Sequence, residues 1–460
     1  MSNNEKQYII GPEGRCPGTS WDDLAEDDAR SVPEFLRQDA SQYLGSDPLS
    51  TDRYVSAEFF QQEIDRMWPR VWQFAAREEE MWEPGSVVVY ENAGYSYLLT
   101  RQEDGSIRAF HNVCLHRGRQ LRTRNGRVSD FRCPYHAFSW NTDGTLKHIP
   151  CQWDFPHLQP EDMKLPEAQV GRWGGYVFIK EEEGGQSLEE YLAPLPDHFT
   201  RWNHERRYTS AWAGKVVAAN WKATAEAFME AFHVIATHPQ IMPFTGDAQS
   251  KYNIYSDHVN LAITPFGTQS PHIDKALSQQ EMMDNFLKYN GRVVPKGQSI
   301  TVPDGETVRQ TLGAFNRTRF GAMAGKDINH ASDSELQDAL TYNVFPNFSP
   351  WGGFSPSVTY RWRPWPDQDH TLMEVRILTP VPEGEAIPDA VPMQMLEEDQ
   401  PWSEALGVMG SIIDQDMGNL PYVQRGMKMS RNKKLQLGNY QESRIRHFHQ
   451  TLDKYLNGEL

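Results

Sequence analysis

Two short segments, each pairing a cysteine with a histidine, constrain the fold of the chain more than any other feature. The first pair is Cys114 and His116, and after sixteen further residues comes the second pair, Cys133 and His136. This donor set suits a [2Fe-2S] cluster in which two thiolates hold one iron and two neutral imidazoles hold the other, which raises the reduction potential. The same donors also suit zinc, but zinc fingers usually place both cysteines in one half of the motif and both histidines in the other.

The pattern C-x-H-x16-C-x2-H resembles the Rieske family. Respiratory Rieske proteins usually have one further cysteine in each ligand loop, where this chain has Arg119 and Tyr135. A pure electron-transfer protein would also have no use for the long region that follows the motif. These two features therefore disfavour a pure electron-transfer protein.

Length and charge limit the classes of protein that the chain can belong to. Its 460 residues are enough for two or three domains, and 38% of them are hydrophobic. The net charge of −17 argues against a nucleic-acid partner. No segment approaches the ~18 apolar residues of a membrane span, and residues 1–42 lack a signal-peptide pattern. We therefore expect a cytoplasmic protein with no membrane partner.

One stretch around the cysteine–histidine motif is basic although the whole chain is acidic. It holds six arginines against the single acidic residue Asp130: Arg117, Arg119, Arg122, Arg124, Arg127 and Arg132. These arginines could guide an acidic electron donor towards the cluster. They could equally neutralise the reduced cluster, or pair with carboxylates of a neighbouring domain or subunit.

The chain divides into three predicted parts. Residues 1–55 are expected to form a loosely ordered N-terminal arm with Gly-Pro, Cys-Pro-Gly and Asp-Pro breaks. Residues 56–180 form a helix capped by Ser56 and then a small antiparallel β domain that carries the cluster. Residues 181–460 form a larger domain, with strands near 208–218, 252–264, 341–348, 355–365 and 371–380. Helices are expected from Asn220, around Met282, and over about 400–429 and 439–456, and the rest of 265–335 is expected to be irregular.

A second candidate metal site follows the segment Asn220-Trp221-Lys222. Glu230 and His233 are three residues apart and share one face of a helix. His233 and His238 are five apart, so a regular helix would separate them by roughly 140°. Both can reach one metal only if the helix loosens or ends between them, which the following proline makes plausible.

The motif E-x2-H-x4-H after N-W-K, downstream of a Rieske motif, resembles the large subunit of Rieske non-haem iron oxygenases. The resemblance covers about residues 52–430 and implies a mononuclear Fe(II) bound by His233, His238 and one later aspartate. That aspartate lies in the segment Asp414-Gln415-Asp416, and alignment to the family motif favours Asp416 over Asp414. Glu230 matches the acid that links the iron site to a cluster histidine of a neighbouring subunit in the family.

The resemblance also implies a fold, a reaction and partners. The fold is α+β, with an all-β Rieske domain followed by a helix-grip (START-like) domain built on a curved antiparallel sheet. The reaction uses O2 and electrons from an NAD(P)H-dependent reductase or ferredoxin, and cis-dihydroxylation of an apolar, aromatic substrate is favoured. Monooxygenation or oxidative demethylation of a methylated amine or another non-arene substrate is the alternative. A homotrimer is implied, with or without a small beta subunit.

Departures from the family pattern leave the subfamily and substrate open. Ala227 stands where an asparagine is common, and Ala137-Phe138 stand where Gly-Trp is common. Aromatic and apolar residues near the two motifs are candidates to line a substrate cavity, although residues of this kind are more often simple core. These candidates are Phe228, Met229, Phe232, Phe345 and Phe348.

Overall fold

The N-terminal segment is more ordered than its sequence indicates. The computed structural model of the protein describes residues 14–290, 294–295 and 297–460, so residues 1–13 of the predicted arm lie outside the described residues. Short helices occupy Trp21–Glu26 and Glu34–Arg37. Trp21 is buried and donates a hydrogen bond from Nε1 to Asp338 over 2.9 Å. The prediction of a loose arm is therefore wrong for this part, because long-range contacts order it.

The helical segment before the β domain begins as predicted. Ser56 accepts a hydrogen bond from the backbone N–H of Phe59 and caps the helix Ala57–Gln62. A π-helical turn, Glu63–Met67, continues the helix, and the first strand of the sheet begins six residues later at Gln73. Glu63 is fully buried and pairs with Lys222 of the later domain, so this segment joins the two parts of the chain.

Residues 73–180 form two antiparallel sheets. The larger sheet has seven strands, in the spatial order Gln73–Arg77, Tyr176–Lys180, Glu167–Trp173, Ile107–His111, Tyr95–Arg101, Ser86–Asn92 and Gly126–Arg127. The smaller sheet consists of Phe131–Arg132, Ser139–Trp140 and Leu146–His148. One cysteine–histidine loop follows a strand of the larger sheet, and the other connects two strands of the smaller one.

The later domain is built on two antiparallel sheets. The first has the order Ser349–Pro350, Ser357–Pro364, Thr371–Pro380 and Arg207–Val217, with Gln394–Leu396 added in parallel at its edge. The second comprises Lys251–Ile254, Val259–Thr264 and Ala339–Val344. The long helix Val408–Met429 contacts the helix Trp221–Glu226 and the strand Arg207–Val217. The predicted fold class is thus confirmed.

The remaining helices surround these sheets. They are Asp52–Val55, Leu188–Leu192, Leu195–Phe199, Val234–Thr237, Gln279–Tyr289, Val308–Ala324, Asp333–Gln337, Ser403–Leu406 and Ser443–Asn457. Among the described residues, no helix combines the length and the apolar character needed to cross a membrane.

The helix Val308–Ala324 contradicts the prediction that this region is irregular. Its buried face includes the polar residues Arg309, Asn316 and Arg317, so the apolar periodicity that identifies a helix is weak. Arg309 pairs with Asp28 and Asp338, and Arg317 pairs with Asp333. Ion pairs with distant residues stabilise this helix, and a local sequence pattern does not contain that information.

Candidate metal centres and substrate cavity

The two cysteine–histidine loops have the same backbone geometry. In the first loop, the N–H of Cys114 donates to the carbonyl of Arg119, and that of Gly118 donates back to Cys114. In the second, Cys133 donates to the carbonyl of Phe138, and Ala137 donates back to Cys133. Gly118 and Ala137 occupy equivalent positions with φ of 71° and 62°. Each loop thus needs a left-handed residue at this point, which explains why the alanine is a departure from the usual glycine.

The side chains of the two loops converge and fit an iron–sulfur cluster. The ring centroids of His116 and His136 lie 4.7 Å apart, and both cysteines are almost completely buried. The Nδ1 atoms of both histidines are buried without a hydrogen-bond partner. Burial raises the pKa of Cys133, but the N–H groups of Tyr135 and His136 outweigh it and lower that pKa below its usual value. Two unpaired imidazole nitrogens beside two thiols are the donors that such a cluster requires.

The arginines around these loops are mostly exposed. Arg117 lies over the ring of Tyr135 at 5.2 Å, and Arg127 pairs with Glu83 at the surface. The acidic exception, Asp130, pairs with Lys147. Exposed pairs of this kind contribute little to stability. Both sequence-based interpretations of the basic stretch remain predictions.

The second candidate centre forms where the helix breaks. The helix Trp221–Glu226 ends, residues 227–233 are not helical, and the short helix Val234–Thr237 follows. This break brings the rings of His233 and His238 to a centroid distance of 5.1 Å. Asp416 of the long helix lies between them, with its Oδ1 2.8 Å from His238 Nε2 and 3.4 Å from His233 Nε2. Two imidazoles and one carboxylate thus face a common point.

Both histidines are oriented by a second hydrogen bond. His233 donates from Nδ1 to Glu230 Oε1 over 2.6 Å, and His238 donates from Nδ1 to Gln415 Oε1 over 2.8 Å. Each ring therefore directs Nε2 towards the common point, as a metal-binding histidine does when an outer acceptor holds its other nitrogen. Burial lowers the pKa of His233, but hydrogen bonds to Asp416 and Glu230 raise it to about 10. The carboxylates of Asp416 and Glu230 beside these rings provide negative charge, which fits a divalent cation.

The two candidate aspartates have different partners in the structure. Asp414 points away from the histidines and accepts hydrogen bonds from the backbone N–H groups of Trp402 and Ser403. Asp416 is buried beside His238, as noted above. The geometry supports Asp416 as the third ligand and gives Asp414 a structural role.

Gln415 lies inside the Asp-Gln-Asp motif, but the motif alone does not indicate a role for its side chain. Its side chain pairs with His238 and also accepts a hydrogen bond from Gln240 Nε2 over 2.6 Å. We expect the substitution Gln415→Leu to weaken Fe(II) binding by about 10- to 100-fold, because His238 loses the acceptor that orients it. Titration of the iron-free protein with Fe(II) would measure this change. Gln415→Glu keeps an acceptor and should retain most of the affinity, and equal losses in both variants would contradict the orienting role.

A cavity of about 190 Å³ opens beside the histidine–aspartate triad. Its walls come from several elements that are distant in sequence, and most of the lining side chains are aromatic or aliphatic. They include Phe228, Phe244, Phe266, Tyr289, Trp351, Tyr360 and Ile412. The volume is smaller than the roughly 300–1,000 Å³ usual for drug-sized ligands, so the cavity suits a small substrate.

Only Phe228 among the five predicted lining residues faces this cavity. Met229 is buried in a core cluster with Trp221, and Phe232 is 47% exposed at the surface. Phe345 and Phe348 lie beyond the end of the strand Ala339–Val344, in a turn that directs them away from the cavity. The four other predictions are therefore corrected, because the helix break and this turn reorient the side chains.

Phe348 and Phe232 should respond very differently to truncation. Phe348 packs against Tyr176 and Phe74 at centroid distances of 4.7 and 5.1 Å. We expect Phe348→Ala to lower the free energy of unfolding by about 3–5 kcal/mol, because it leaves a cavity in the core. Phe232→Ala should change the free energy of unfolding of the separate subunit by less than about 0.5 kcal/mol, because its side chain is half exposed there. Urea unfolding would compare the two variants, and a similar loss in both would contradict the burial described here.

The fold and the two sets of candidate ligands fit an iron protein with two separate centres. Residues 71–159 match the family model described as Rieske [2Fe-2S] domain, and residues 199–458 match that described as ring hydroxylating alpha subunit (catalytic domain). The chain belongs to the ring-hydroxylating alpha subunit family of Rieske oxygenases, in which a [2Fe-2S] domain precedes a catalytic domain that binds mononuclear iron.

Characterised relatives include proteins with different kinds of substrate. The chain is 28% identical over 198 residues to choline monooxygenase from Spinacia oleracea, covering 40% of this chain and 44% of the relative. It is 32% identical over 194 residues to the large oxygenase component of the naphthalene 1,2-dioxygenase system from Pseudomonas aeruginosa, covering 39% and 42%. These matches thus span less than half the length of either protein.

A solved structure is similar over nearly the whole chain. It is the quaternary ammonium Rieske monooxygenase CntA in complex with L-carnitine, with a TM-score of 0.62 and 17% sequence identity. The match covers 92% of this chain and 99% of that chain. At this identity the similarity demonstrates a shared fold, and the substrate has to be inferred from the cavity itself.

Proposed function

We propose that this chain is a terminal oxygenase that uses O2 and externally supplied electrons to hydroxylate a small, uncharged, aromatic substrate. The cavity beside the triad carries this proposal. Among the described lining residues, the only acidic ones are Glu230 and Asp416, and none is a lysine or arginine. Apolar walls around a few polar groups favour a substrate without charge. We take cis-dihydroxylation as the reaction.

The chain's own residues would hold the two iron groups and exclude water from the reaction. Cys114, His116, Cys133 and His136 would bind the cluster, and His233, His238 and Asp416 would bind the mononuclear iron. When bound, the cluster supplies single electrons and the mononuclear iron supplies the position at which O2 is activated. The triad occupies one side of the common point, so the opposite side stays open to the cavity. The apolar walls then exclude water from the reacting substrate.

The proposed reaction requires an electron donor. We propose a ferredoxin or flavin reductase as the donor, and a homotrimer in which the cluster of one subunit lies beside Glu230 of the next. Exposed apolar side chains support this arrangement at both centres. Val113, Tyr135 and Trp153 are exposed beside the cluster loops, and Phe232 and Ile235 beside the triad. The solution mass of the protein, measured by light scattering, would test the trimer.

A methylated amine is the second candidate substrate, and one wall of the cavity favours it. The rings of Phe228 and Tyr360 lie 4.7 Å apart, and Trp351 lies 6.3 Å from Tyr360. Clustered aromatic faces can bind a quaternary ammonium group. Substrates such as carnitine also carry a carboxylate, and the described cavity residues offer no lysine or arginine to pair with it. Choline, which lacks a carboxylate, is therefore the better amine candidate.

A single-turnover experiment separates the two candidates. Both iron centres are reduced chemically, and O2 is added with naphthalene, toluene, choline or glycine betaine. We expect an arene product that has gained two oxygen and two hydrogen atoms. Oxidation of choline with no arene product would replace the aromatic assignment by the amine one. Cluster reoxidation without product from any compound, in protein shown to contain mononuclear iron, would contradict both.

A further inference from the structure

The two peptide groups on either side of Glu230 are held by side chains from distant parts of the chain. Glu230 lies in the break between two helices, where regular helical hydrogen bonds are interrupted. Arg444 donates from its guanidinium to the carbonyl of Met229 over 3.1 Å. On the other side, the N–H of Ala231 donates to the hydroxyl of Tyr252 over 3.2 Å. Both peptide planes next to Glu230 are thus fixed from outside the segment.

Arg444 is an unusual residue for this position. It is completely buried on the helix Ser443–Asn457, and its Nε donates to Asn260 Oδ1 over 2.5 Å. No described carboxylate forms an ion pair with it, and its Nη2 has no hydrogen-bond partner. Burying a guanidinium without an opposite charge costs free energy, so an arginine at this position indicates a specific structural role. Its hydrogen bond to the carbonyl of Met229 is consistent with such a role.

Tyr252 holds the second of these peptide groups and connects it to the region of the chain that contains Arg444. It is fully buried, and besides accepting from Ala231 its hydroxyl donates to Gln441 Oε1 over 3.2 Å. Gln441 lies three residues before Arg444, so both supports lead back to the start of the terminal helix. Glu230 in turn holds His233 through two contacts, at Nδ1 over 2.6 Å and at the backbone N–H over 3.0 Å.

We propose that Arg444 and Tyr252 are positioning residues that fix Glu230 and, through it, the orientation of His233 at the mononuclear iron site. The start of the C-terminal helix thereby sets the geometry of a ligand more than 200 residues earlier in the sequence. This inference rests on the proposed role of His233 as an iron ligand, and it extends that role to residues that touch neither iron nor substrate.

The test compares Tyr252→Phe with Tyr440→Phe. Tyr440 packs against Tyr252 at 5.2 Å, and its hydroxyl donates to the carbonyl of Ser250, so it is a matched tyrosine whose described hydrogen bond does not involve residues 229–231. The readout is the Fe(II) dissociation constant of protein with an intact cluster, together with the spectrum of its nitric oxide adduct. We expect Tyr252→Phe to raise the constant about tenfold and to alter the spectrum, whereas Tyr440→Phe should leave both unchanged.

A double-mutant cycle with Glu230→Gln shows whether Tyr252 acts through Glu230. If it does, adding Tyr252→Phe to Glu230→Gln should change the dissociation constant by less than about twofold. Additive effects, or an unchanged constant in Tyr252→Phe alone, would overturn the proposal. Arg444→Met should weaken iron binding further, by about 100-fold, and if that variant does not fold, the tyrosine pair still decides. Iron binding is measured without substrate, so failure of the proposed reaction would be recognised separately.

Discussion

Replacing Asp416 with alanine should abolish product formation while leaving the cluster in place. Asp416 Oδ1 is within 3.4 Å of Nε2 of both His233 and His238, so the substitution removes the only carboxylate that faces the two rings among the described residues. Loss of an outer partner of a ligand already costs about 10- to 100-fold in metal affinity, and loss of the ligand itself should exceed 100-fold. Iron analysis and the cluster absorbance, measured on the same sample, would show loss of mononuclear iron alone.

Asp414→Asn is the matched control for this experiment. Asp414 binds the N–H groups of Trp402 and Ser403, and an amide can replace only part of this interaction. We expect the variant to lose about 1 kcal/mol of stability, as when a helix cap is removed, and to keep its iron and its turnover. If Asp414→Asn lost iron while Asp416→Ala kept it, the assignment of the third ligand would be reversed.

The cluster loops were predictable because each one is local. Cys114 and His116 are two residues apart, and Cys133 and His136 three apart, so a single loop of fixed geometry presents each pair. Sequence spacing therefore contains almost all of the information. The equivalent left-handed positions at Gly118 and Ala137 follow from the same geometry, although only the first is marked by a glycine.

The mononuclear site was predictable only in part. The angle between His233 and His238 on a regular helix indicated that a break was needed, and the structure has one. The choice of Asp416 over Asp414 depended on family resemblance, because the angle between them alone does not reveal which faces the histidines. Tertiary contacts such as that of Asp414 with Trp402 decide the orientation of the helix.

The cavity could not be derived from local patterns. Its walls combine residues such as Phe244, Tyr289, Tyr360 and Ile412, which come from three different helices and one strand. One local signal does indicate cavity residues: Ile412 and Ile413 precede Asp416 by four and three residues, so they share its helix face. Aromatic residues close to a motif in sequence were a poor guide, because a break or turn of a few residues redirects them into the core or to the surface.

Cys133→Ala should remove the cluster and stop all turnover driven by NADH. Cys133 is 2% exposed, and its loop brings it next to the other three cluster side chains. Without one of its two thiolates the cluster has no complete ligand set, and no other described cysteine lies in either loop. We expect loss of acid-labile sulfide and of the visible absorbance, while mononuclear iron at the separate triad remains. Fe(II) binding by the variant should match that of the unchanged protein.

Cys151→Ala provides the control, because Cys151 is an exposed cysteine only eighteen residues further along the chain. It should keep its sulfide, its absorbance and its turnover. If Cys133→Ala kept the cluster, the ligand assignment would be wrong. If it lost mononuclear iron as well, the two centres could not be independent sites on separate structural elements. We expect Cys133→Ala to lose the cluster and retain mononuclear iron, which is the converse of the result expected for Asp416→Ala. The two variants together therefore test whether electron supply and oxygen chemistry depend on separate sites.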